Sequence, residues 1–390
     1  MKKTIKTYLK TAAKDYSSRS VNPPVVRAST ILFKTMQELR KHQKDIAKGK
    51  DVEHWDYGRQ GTQTTVQLQK LLRGLEEAYQ VFLTPTGFSA VALAIMSICR
   101  PGDEIVISDG VYRPTQKLTD DLLKEFNVKA IWYNPNNFED LKNKISKKTK
   151  LIYVENPGSN TFEMQDLGKV VSLAKSKNIF TAIDNTWATA YFFKPLKLGF
   201  DMAITSATKY YSGHSDVMGG TVAVNKKVYK KVWWYNHVSG YRLSPDDAYL
   251  IIRGLRTLDI RMDKHQESTK KVINFLKKHK KISKILYPYK TSSKEFKLWK
   301  KYYSGASGLL SLIIKSKSKN SVYKFVNQLE LFGIGYSWGG FESLAVYTDP
   351  VELGTRRFFK FEKNEHLVRL HIGLEDPKDL IDDLRNSLKF

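Results

Sequence analysis

Short apolar runs alternate with amphipathic stretches between about residues 66 and 184, and this alternation predicts the core of the fold. Runs such as Leu151-Ile152-Tyr153-Val154 lack polar alternation, which is typical of strands covered on both faces of a parallel sheet. The order of the runs predicts a doubly wound α/β domain that binds ligands at the carboxyl ends of its strands. The predicted strands are 81–83, 104–108, 130–133, 151–155 and 179–184, and the predicted helices are 66–79, 90–99, 112–125, 138–144 and 166–175.

The two ends of the chain follow different patterns. Residues 1–55 contain the break Asn22-Pro23-Pro24, a predicted short strand at 28–33 and a predicted helix at 35–48. This segment has little core of its own, so we predict an N-terminal arm that packs on another part of the protein or on a partner subunit. Residues 56–244 then form the ligand-binding α/β domain, and residues 245–390 form a smaller α+β domain. Its predicted elements are one or two long helices at 245–278, a Lys-rich helix after residue 289, and strands at 308–314, 334–338 and 368–372.

Charge is the most unusual feature of the composition. The chain has 390 residues and a formal net charge of +26. Because the lysines are spread over most of the sequence, we interpret them as solvated surface groups that aid solubility and attract anionic ligands. A basic protein that binds RNA weakly and in a salt-dependent way is the alternative interpretation.

Cysteine content and hydropathy exclude several classes of protein. The single cysteine, Cys99, lies in an apolar run and excludes a disulfide framework. That run, at 90–99, is the longest in the chain and is far shorter than the roughly 18 residues of a membrane span. No apolar segment follows the basic N-terminus, and no His/Cys cluster has metal-ligand spacing. We therefore expect a soluble cytoplasmic protein without a metal site.

One lysine differs from the others in its surroundings. Lys209 follows the apolar run at 202–204 and the small residues Ala207 and Thr208, and the strand about twenty residues earlier ends in Asp184. Pyridoxal phosphate (PLP) requires a lysine to bind its aldehyde, hydroxyl groups for its phosphate and an acid beside its pyridine nitrogen. The segment at 206–214 therefore predicts a PLP site.

Two turns are candidates for holding an anion. The turn at 84–90 lies between a strand and the N-terminus of a helix, where free N–H groups and the helix dipole both favour a phosphate. It lacks the glycines and the lysine of a Walker A motif or a dinucleotide fingerprint. In the turn at 57–62, two glycines flank Arg59, so that the backbone and the guanidinium can both approach an anion. By itself the second turn is an ordinary Gly-rich turn.

Several motifs, in order, resemble one family over essentially the whole chain: the transsulfuration (Cys/Met metabolism) PLP enzymes of fold type I. Each motif is weak alone, but their joint order is specific. Within the family, 112–115 (YRPT), 157–159 (PGS), Trp187 and 336–343 (YSWGGFES) favour the bacterial cystathionine β-lyase branch. The motifs are 57–62 (YGRQGT), 155–159 (ENPGS), 184–187 (DNTW), 207–210 (ATKY), 213–216 (GHSD), 253–258 (RGLRTL), 337–340 (SWGG) and 369–373 (RLHIG).

The resemblance implies an aspartate aminotransferase-like fold, with a mostly parallel central sheet and a smaller α+β C-terminal domain. It also implies a set of cofactor contacts. Lys209 would form the Schiff base with PLP, Asp184 would pair with the pyridine nitrogen, and Tyr112 would stack on the ring. The phosphate would be bound by the backbone of Gly87 and Phe88 and by the hydroxyls of Ser206 and Thr208.

The same resemblance implies residues that bind the substrate and the partner subunit. Arg369 would bind the α-carboxylate of an amino-acid substrate, because a planar bidentate guanidinium fits a carboxylate. Ser337 and Trp338 would line the same pocket. Tyr57 and Arg59 would reach the cofactor phosphate of a neighbouring subunit, so the active unit would be at least a dimer, and tetramers are usual in the family.

The implied activity is β-elimination of L-cystathionine to homocysteine, pyruvate and ammonia. One alternative is amino-acid racemisation, such as that of alanine, in which Lys209 takes a proton on one face and Tyr112 or Tyr57 returns one on the other. Chemistry of the γ-lyase or γ-synthase type is disfavoured, because Ser159 stands where many γ-type members have Asn. A pseudoenzyme or a pure RNA-binding protein has no reason to keep Asp184, Lys209 and Arg369 together.

Overall fold

The computed structural model describes residues 3–13, 19–48, 56–289, 294–349, 353 and 356–389. Within these ranges the strands form two sheets, one of seven strands and one of four. The larger sheet contains β1 (Gln80–Thr84), β2 (Glu104–Ser108), β3 (Lys129–Tyr133), β4 (Thr149–Glu155), β5 (Phe180–Asp184), β6 (Met202–Ser206) and β7 (Gly220–Val224). The smaller sheet contains β8 (Ile282–Leu286), β9 (Leu309–Lys315), β10 (Leu344–Thr348) and β11 (Glu365–His371).

The helices connect and cover the two sheets. Leu68, Leu71, Leu72 and Leu75 form a fully buried stripe on one helix, at the spacing of an amphipathic helix. The helices are α1 (Ile5–Thr11), α2 (Met36–Ala47), α3 (Gln63–Glu76), α4 (Gly87–Met96), α5 (Arg113–Lys117), α6 (Leu123–Glu125), α7 (Phe138–Lys144), α8 (Leu167–Ser176), α9 (Thr189–Phe192), α10 (Pro195–Leu198), α11 (Tyr229–Ser239), α12 (Pro245–Leu255), α13 (Leu258–Leu276), α14 (Lys294–Tyr302), α15 (Lys319–Asn327) and α16 (Pro377–Ser387). A 3₁₀ turn at Gly58–Gln60 precedes α3, and a π-helical turn at Leu118–Leu122 joins α5 to α6.

The larger sheet has the strand order β1-β7-β6-β5-β4-β2-β3. The strands from β6 to β3 run parallel, whereas β7 is antiparallel to both β1 and β6. In this register Glu155 lies directly opposite Asp184 at the carboxyl ends of β4 and β5. The acid predicted to end a strand therefore has a second acid beside it.

Strand β4 shows how the sheet is covered. Ile152 and Val154 belong to the hydrophobic cluster on one face, and Leu151 and Tyr153 belong to the cluster on the other. The absence of polar alternation in this run correctly predicted a strand buried on both faces. The first cluster also contains residues of the smaller sheet, such as Leu312 and Val368, so the two sheets share a continuous apolar core.

Two strand predictions are wrong. In the segment 28–33, Thr30 makes one isolated bridge to Tyr57 and the rest has no strand pairing. The segment 334–338 is irregular, and β11 pairs with β9 on one side and on the other with β10, which begins at Leu344. Gly335 interrupts the predicted strand, and Gly339 just after it has a φ of +89°, a conformation outside the β region.

The other predicted elements are present, with ends shifted by a few residues. The mostly parallel sheet and the separate smaller sheet confirm the predicted α/β fold class. The boundaries at residues 55 and 244 remain a prediction, and residues 1–2, 14–18 and 49–55 of the arm lie outside the described part. None of the described helices is both long and apolar enough to cross a membrane.

Candidate functional site

A cavity of about 470 Å³ opens at the carboxyl ends of β4, β5 and β6. Residues from the start of α4, from β11 and from the segment before β10 also line it. Ten of the twelve predicted site residues line it: Gly87, Phe88, Tyr112, Asp184, Ser206, Thr208, Lys209, Ser337, Trp338 and Arg369. The remaining two, Tyr57 and Arg59, do not line the cavity formed by the described residues.

The N-terminus of α4 forms one wall of the cavity. Thr86 caps this helix, because its hydroxyl accepts the N–H of Ser89 at 3.0 Å. The N–H groups of Gly87 and Phe88 precede the first intrahelical bond, so they are available to an anion in the cavity. A Cβ on Gly87 would lie 2.3 Å from Oγ of Ser206, so glycine is required for this close approach. The cradle therefore suits a phosphate group.

Lys209 lies in the turn after β6. Its Nζ donates a hydrogen bond to Oγ of Ser337 at 2.5 Å and lies 5.2 Å from the centre of the Trp338 ring. Burial, with repulsion from Arg369, lowers the pKa of Lys209 to about 8, and the charge of Asp184 opposes this shift. A lysine with this pKa has a substantial neutral fraction near pH 7.5 and can act as a nucleophile or a base.

Asp184 ends β5 inside the cavity. Its Oδ1 accepts the N–H of Thr186 at 2.9 Å. Burial raises the pKa of Asp184, whereas the hydrogen bonds from Thr186 and the charge of Lys209 favour the carboxylate. A cationic group bound beside Asp184 would stabilise its ionised form further, as required of the acid that pairs with a pyridine nitrogen.

Glu155 is a second carboxyl group in the cavity and was not among the predicted site residues. It lies beside Asp184 across the β4–β5 pair, and its Oε2 accepts the N–H of Tyr112 at 2.7 Å. Burial and the neighbouring charge of Asp184 raise the pKa of Glu155 well above its usual value. Its place at a strand end was visible in the sequence, but its contact with Tyr112 was not.

Tyr112 lies at the start of α5 and is half exposed toward the cavity. Burial of its hydroxyl, followed by the charge of Glu155, raises the pKa of Tyr112. Its hydroxyl is therefore protonated at neutral pH. The residue lines the cavity, and its role of covering a planar ligand remains a prediction.

Arg369 reaches the cavity from β11. Its Nη2 donates to the carbonyl oxygen of Ser337 at 3.1 Å. Burial lowers the pKa of Arg369 below its ordinary value. The group remains a cation because a guanidinium does not lose its proton in proteins. This cation lies in the same cavity as Lys209 and can bind a carboxylate.

Another part of the cavity wall contains Ser159 and is held by a residue that the sequence did not predict. Arg356, 4% exposed, donates to the carbonyl oxygens of Asp109 and Ser159 and to Oγ1 of Thr161. The N–H of Ser159 also donates to the carbonyl oxygen of Gly110 at 2.7 Å. Because Arg356 lies 195 to 247 residues from these partners in the sequence, no local pattern indicated the contact.

Tyr57 and Arg59 lie on the protein surface. Tyr57 is 46% exposed, and Nη1 of Arg59 donates to the carbonyl oxygen of His237 at 3.3 Å. The structure of one chain therefore does not bring these two residues together with the other ten. His214, a further histidine near the lysine, is exposed and has Nδ1 2.7 Å from the carbonyl oxygen of Ser212.

A buried lysine, a strand-end acid and a phosphate cradle on this α/β fold define the class of PLP-dependent enzymes of fold type I. A family model described as Cys/Met metabolism PLP-dependent enzyme matches residues 5–389. The chain therefore belongs to the Cys/Met metabolism family of PLP-dependent enzymes, and PLP is its cofactor.

The curated relatives include proteins named as cystathionine β-lyases and one named as a racemase. A putative cystathionine β-lyase of Rhizobium johnstonii is 37% identical over 94% of this chain and 91% of its own length. The cystathionine β-lyase MetC of Escherichia coli is 34% identical over 95% of this chain and 94% of its own length. An L-alanine/L-glutamate racemase of Wolbachia pipientis is also 34% identical, over 96% of this chain and 93% of its own length.

Solved structures show the same fold along the chain. One is a cystathionine γ-synthase from Xanthomonas oryzae pv. oryzae, determined in complex with aminoacrylate and cysteine. It superposes with a TM-score of 0.89 at 28% identity and covers 100% of this chain and 98% of the other. The resemblance to the transsulfuration family and the predicted fold type are confirmed.

Proposed function

We propose that the protein is a carbon–sulfur lyase that catalyses β-elimination of L-cystathionine to homocysteine, pyruvate and ammonia. The observation that carries the proposal is the grouping of Lys209, Asp184 and Arg369 in one cavity. The names of the Rhizobium and Escherichia coli relatives support the choice of substrate. Ser159 in the cavity wall, in place of the Asn of many γ-type enzymes, supports β- over γ-elimination.

The residues present fit PLP. The phosphate would be bound by the N–H groups of Gly87 and Phe88 and by the hydroxyls of Ser206 and Thr208. Asp184 would pair with the ring nitrogen, and Tyr112 would cover the ring. When bound, the cofactor supplies an electron sink for the negative charge that develops at Cα of the substrate.

Lys209 and Arg369 would have separate roles toward the substrate. The guanidinium of Arg369 would bind the α-carboxylate and so present Cα to the lysine. Lys209, with a pKa of about 8, would hold the cofactor and, once its amine is free, remove the Cα proton. Ser337 and Trp338, which contact the amine, would keep its direction fixed and shield it from water.

Racemisation is the second candidate, and the name of the Wolbachia relative favours it. In this reaction Lys209 would remove the Cα proton from one face and the protonated hydroxyl of Tyr112, or Tyr57 of a neighbouring subunit, would return one to the opposite face. Chiral analysis after incubation with L-alanine and with L-glutamate tests the idea. The absence of both D-enantiomers would reject it.

Product identification tests the primary proposal. Purified protein loaded with PLP is mixed with L-cystathionine, and we expect pyruvate and homocysteine. 2-Oxobutyrate with cysteine would instead identify γ-elimination. No keto acid from a protein that holds its cofactor would reject both eliminations. The Lys209→Ala variant is the matched control, and substantial turnover by it would reject the assigned role of Lys209.

We also propose a homo-oligomer in which Tyr57 and Arg59 reach the cofactor phosphate of a neighbouring subunit. Their exposure and their distance from the cavity of their own chain support this arrangement. A tetramer built from two such dimers is expected, and mass measurement in solution distinguishes it from a dimer. The cytoplasm is the proposed location, because a free thiol product persists in a reducing compartment. Cell fractionation tests this location.

A further inference from the structure

The loop at residues 337–342 carries two of the cavity residues but has little regular structure to hold it. Ser337 and Gly339 both have positive φ, +83° and +89°. A Cβ on Gly339 would lie 3.0 Å from the backbone nitrogen of Tyr210 and 3.1 Å from Cα of Lys209. The loop therefore lies directly against the turn that carries the lysine. The N–H of Leu374 donates to the carbonyl oxygen of Phe341 in the loop at 2.8 Å, and side chains hold the loop further.

His371 fixes this loop at two points. Its Nε2 accepts the N–H of Gly339 at 3.1 Å, and its Nδ1 is 3.0 Å from the carbonyl oxygen of Glu342. Because His371 and Arg369 are two residues apart on β11, their side chains lie on the same face of the strand. The strand that brings the carboxylate-binding arginine into the cavity therefore also supports the loop beside it.

The two contacts require one form of the imidazole. A ring nitrogen facing a carbonyl oxygen must carry a hydrogen, and one facing an N–H must not, so His371 is neutral with its proton on Nδ1. It is 1% exposed and packs against Tyr210 and His265, with ring centres 5.9 Å and 5.2 Å away. Burial, and then the nearby His265, lowers its pKa well below the usual value.

We propose that His371 is a positioning residue: its neutral imidazole joins Gly339 to Glu342 and thereby keeps Ser337 and Trp338 beside the Lys209 amine. This inference rests on the proposed roles of Lys209 and Arg369 in the function given above. His371 does not contact the substrate itself. It acts through the loop.

Two substitutions separate the two hydrogen bonds. The amide nitrogen of His371→Asn lies near the position of Nδ1 and keeps the donor to Glu342. The amide oxygen of His371→Gln reaches the position of Nε2 and keeps the acceptor for Gly339, while His371→Ala loses both. We expect kcat/KM for L-cystathionine to fall about 100-fold in the Ala variant, mainly through KM, and about 10-fold in each amide variant.

A second measurement needs no turnover. The rate at which the apoprotein binds PLP covalently depends on the neutral amine of Lys209, so its pH profile reports the pKa of that amine. Release of the loop admits water and removes part of the burial that lowers this pKa. We therefore expect the midpoint of the profile to move to higher pH in His371→Ala, by about half a unit or more.

His265 provides the matched control. It is fully buried in the same aromatic cluster, but its Nδ1 faces the carbonyl oxygen of Ile372, directly after β11, rather than the 337–342 loop. His265→Ala should lower the melting temperature by a similar amount while leaving KM and the PLP-binding profile as they are.

The proposal is overturned if the His371 variants lose thermal stability but keep the KM and the profile of the unaltered enzyme. It is also overturned if His265→Ala shifts both quantities equally. If His371→Ala does not fold, the two amide variants, which retain volume and one hydrogen bond, decide the matter. If L-cystathionine is not a substrate, the proposed function fails, but the PLP-binding profiles still test the role of His371.

Discussion

Lys209 is separated from the other lysines of this very basic chain by its surroundings. The small residues before it allow the turn after β6 to lie under the 337–342 loop, and Trp338 then covers the amine. Burial in this place costs the charged form more than the neutral one, which is the physical origin of the lowered pKa. The sequence could predict the acid because it ends a predicted strand, and the lysine because it follows an apolar run and small residues. It could not predict the loop above them.

The pH dependence of cofactor loading follows from this pKa. Because only the neutral amine attacks the aldehyde, the rate of covalent PLP binding to the apoprotein should rise with pH and level off above about pH 8. An ordinary lysine would give a rate that still rises steeply near pH 10. Absorbance after rapid mixing measures the rate. Lys209→Ala serves as the control, and a profile that continues to rise past pH 9.5 would contradict the prediction.

At the scale of an element, the start of α4 acts as one unit. Its capped first turn presents free N–H groups to the cavity, and its close approach to Ser206 depends on the missing side chain at position 87. Gly87→Ala places a methyl group 2.3 Å from the serine oxygen, so one of the two segments must move. We expect PLP affinity to fall by about 10- to 100-fold with little change in melting temperature of the apoprotein.

Equilibrium titration of the apoprotein with PLP measures this affinity. Gly335→Ala is a suitable control, because a Cβ there meets nothing within 4 Å. Equal PLP affinity in Gly87→Ala and the unaltered protein would show that the cradle is not used.

The accuracy of the sequence predictions varied with the element. Strands β2 and β4 were predicted well, because continuous apolar runs between turns indicate a strand with both faces covered. The segment 334–338 was predicted as a strand on its apolar residues, but it leads into a loop whose Gly339 and Glu342 contact His371, more than thirty residues later. Strand β7 was not predicted, because its antiparallel place between β1 and β6 is set by pairing rather than by the local pattern.

The surface placement of Tyr57 and Arg59 makes sense at the scale of the proposed oligomer. If each site combines Lys209 of one subunit with Arg59 of another, two inactive variants can restore one another. In a hybrid of Lys209→Ala and Arg59→Ala chains, one site carries both changes and the other carries neither. We therefore expect co-expressed, differently tagged chains to yield active hybrids.

The control pairs Lys209→Ala with Asp184→Ala, whose changes affect the site of their own chain. Each site of that hybrid retains one change, so no activity should return. Recovery in the control, or no recovery in the test pair, would contradict the shared site.

A buried carboxyl group links the global stability to pH. Glu76 on α3 is 1% exposed and accepts a hydrogen bond from the hydroxyl of Tyr211. Burial raises its pKa from 4.5 to about 7. Between these values the folded protein holds a proton that the unfolded chain has released, so stability falls as pH rises from 4.5 to 7. The loss reaches ~3 kcal/mol above pH 7.

Glu76→Gln keeps the acceptor for Tyr211 and removes the titration. Its free energy of unfolding, measured by denaturant between pH 5 and pH 8, should therefore fall less with pH than that of the unaltered protein, and it should be higher at pH 8. The exposed Glu139→Gln is the control and should retain the original slope. Parallel curves for Glu76→Gln and the unaltered protein would contradict the prediction.

The contacts of the Arg356 guanidinium can form only late in translation. Its acceptors, at Asp109, Ser159 and Thr161, leave the ribosome 195 to 247 residues before it does. The ribosome can therefore complete β4, β5 and the turn that carries Lys209 while one side of the cavity still lacks the hydrogen bonds from Arg356. A chain that stops before Arg356 would carry Lys209 and Asp184 but would lack this contact, and it would also lack Arg369 and His371. The cavity is thus completed last, with the final tenth of translation.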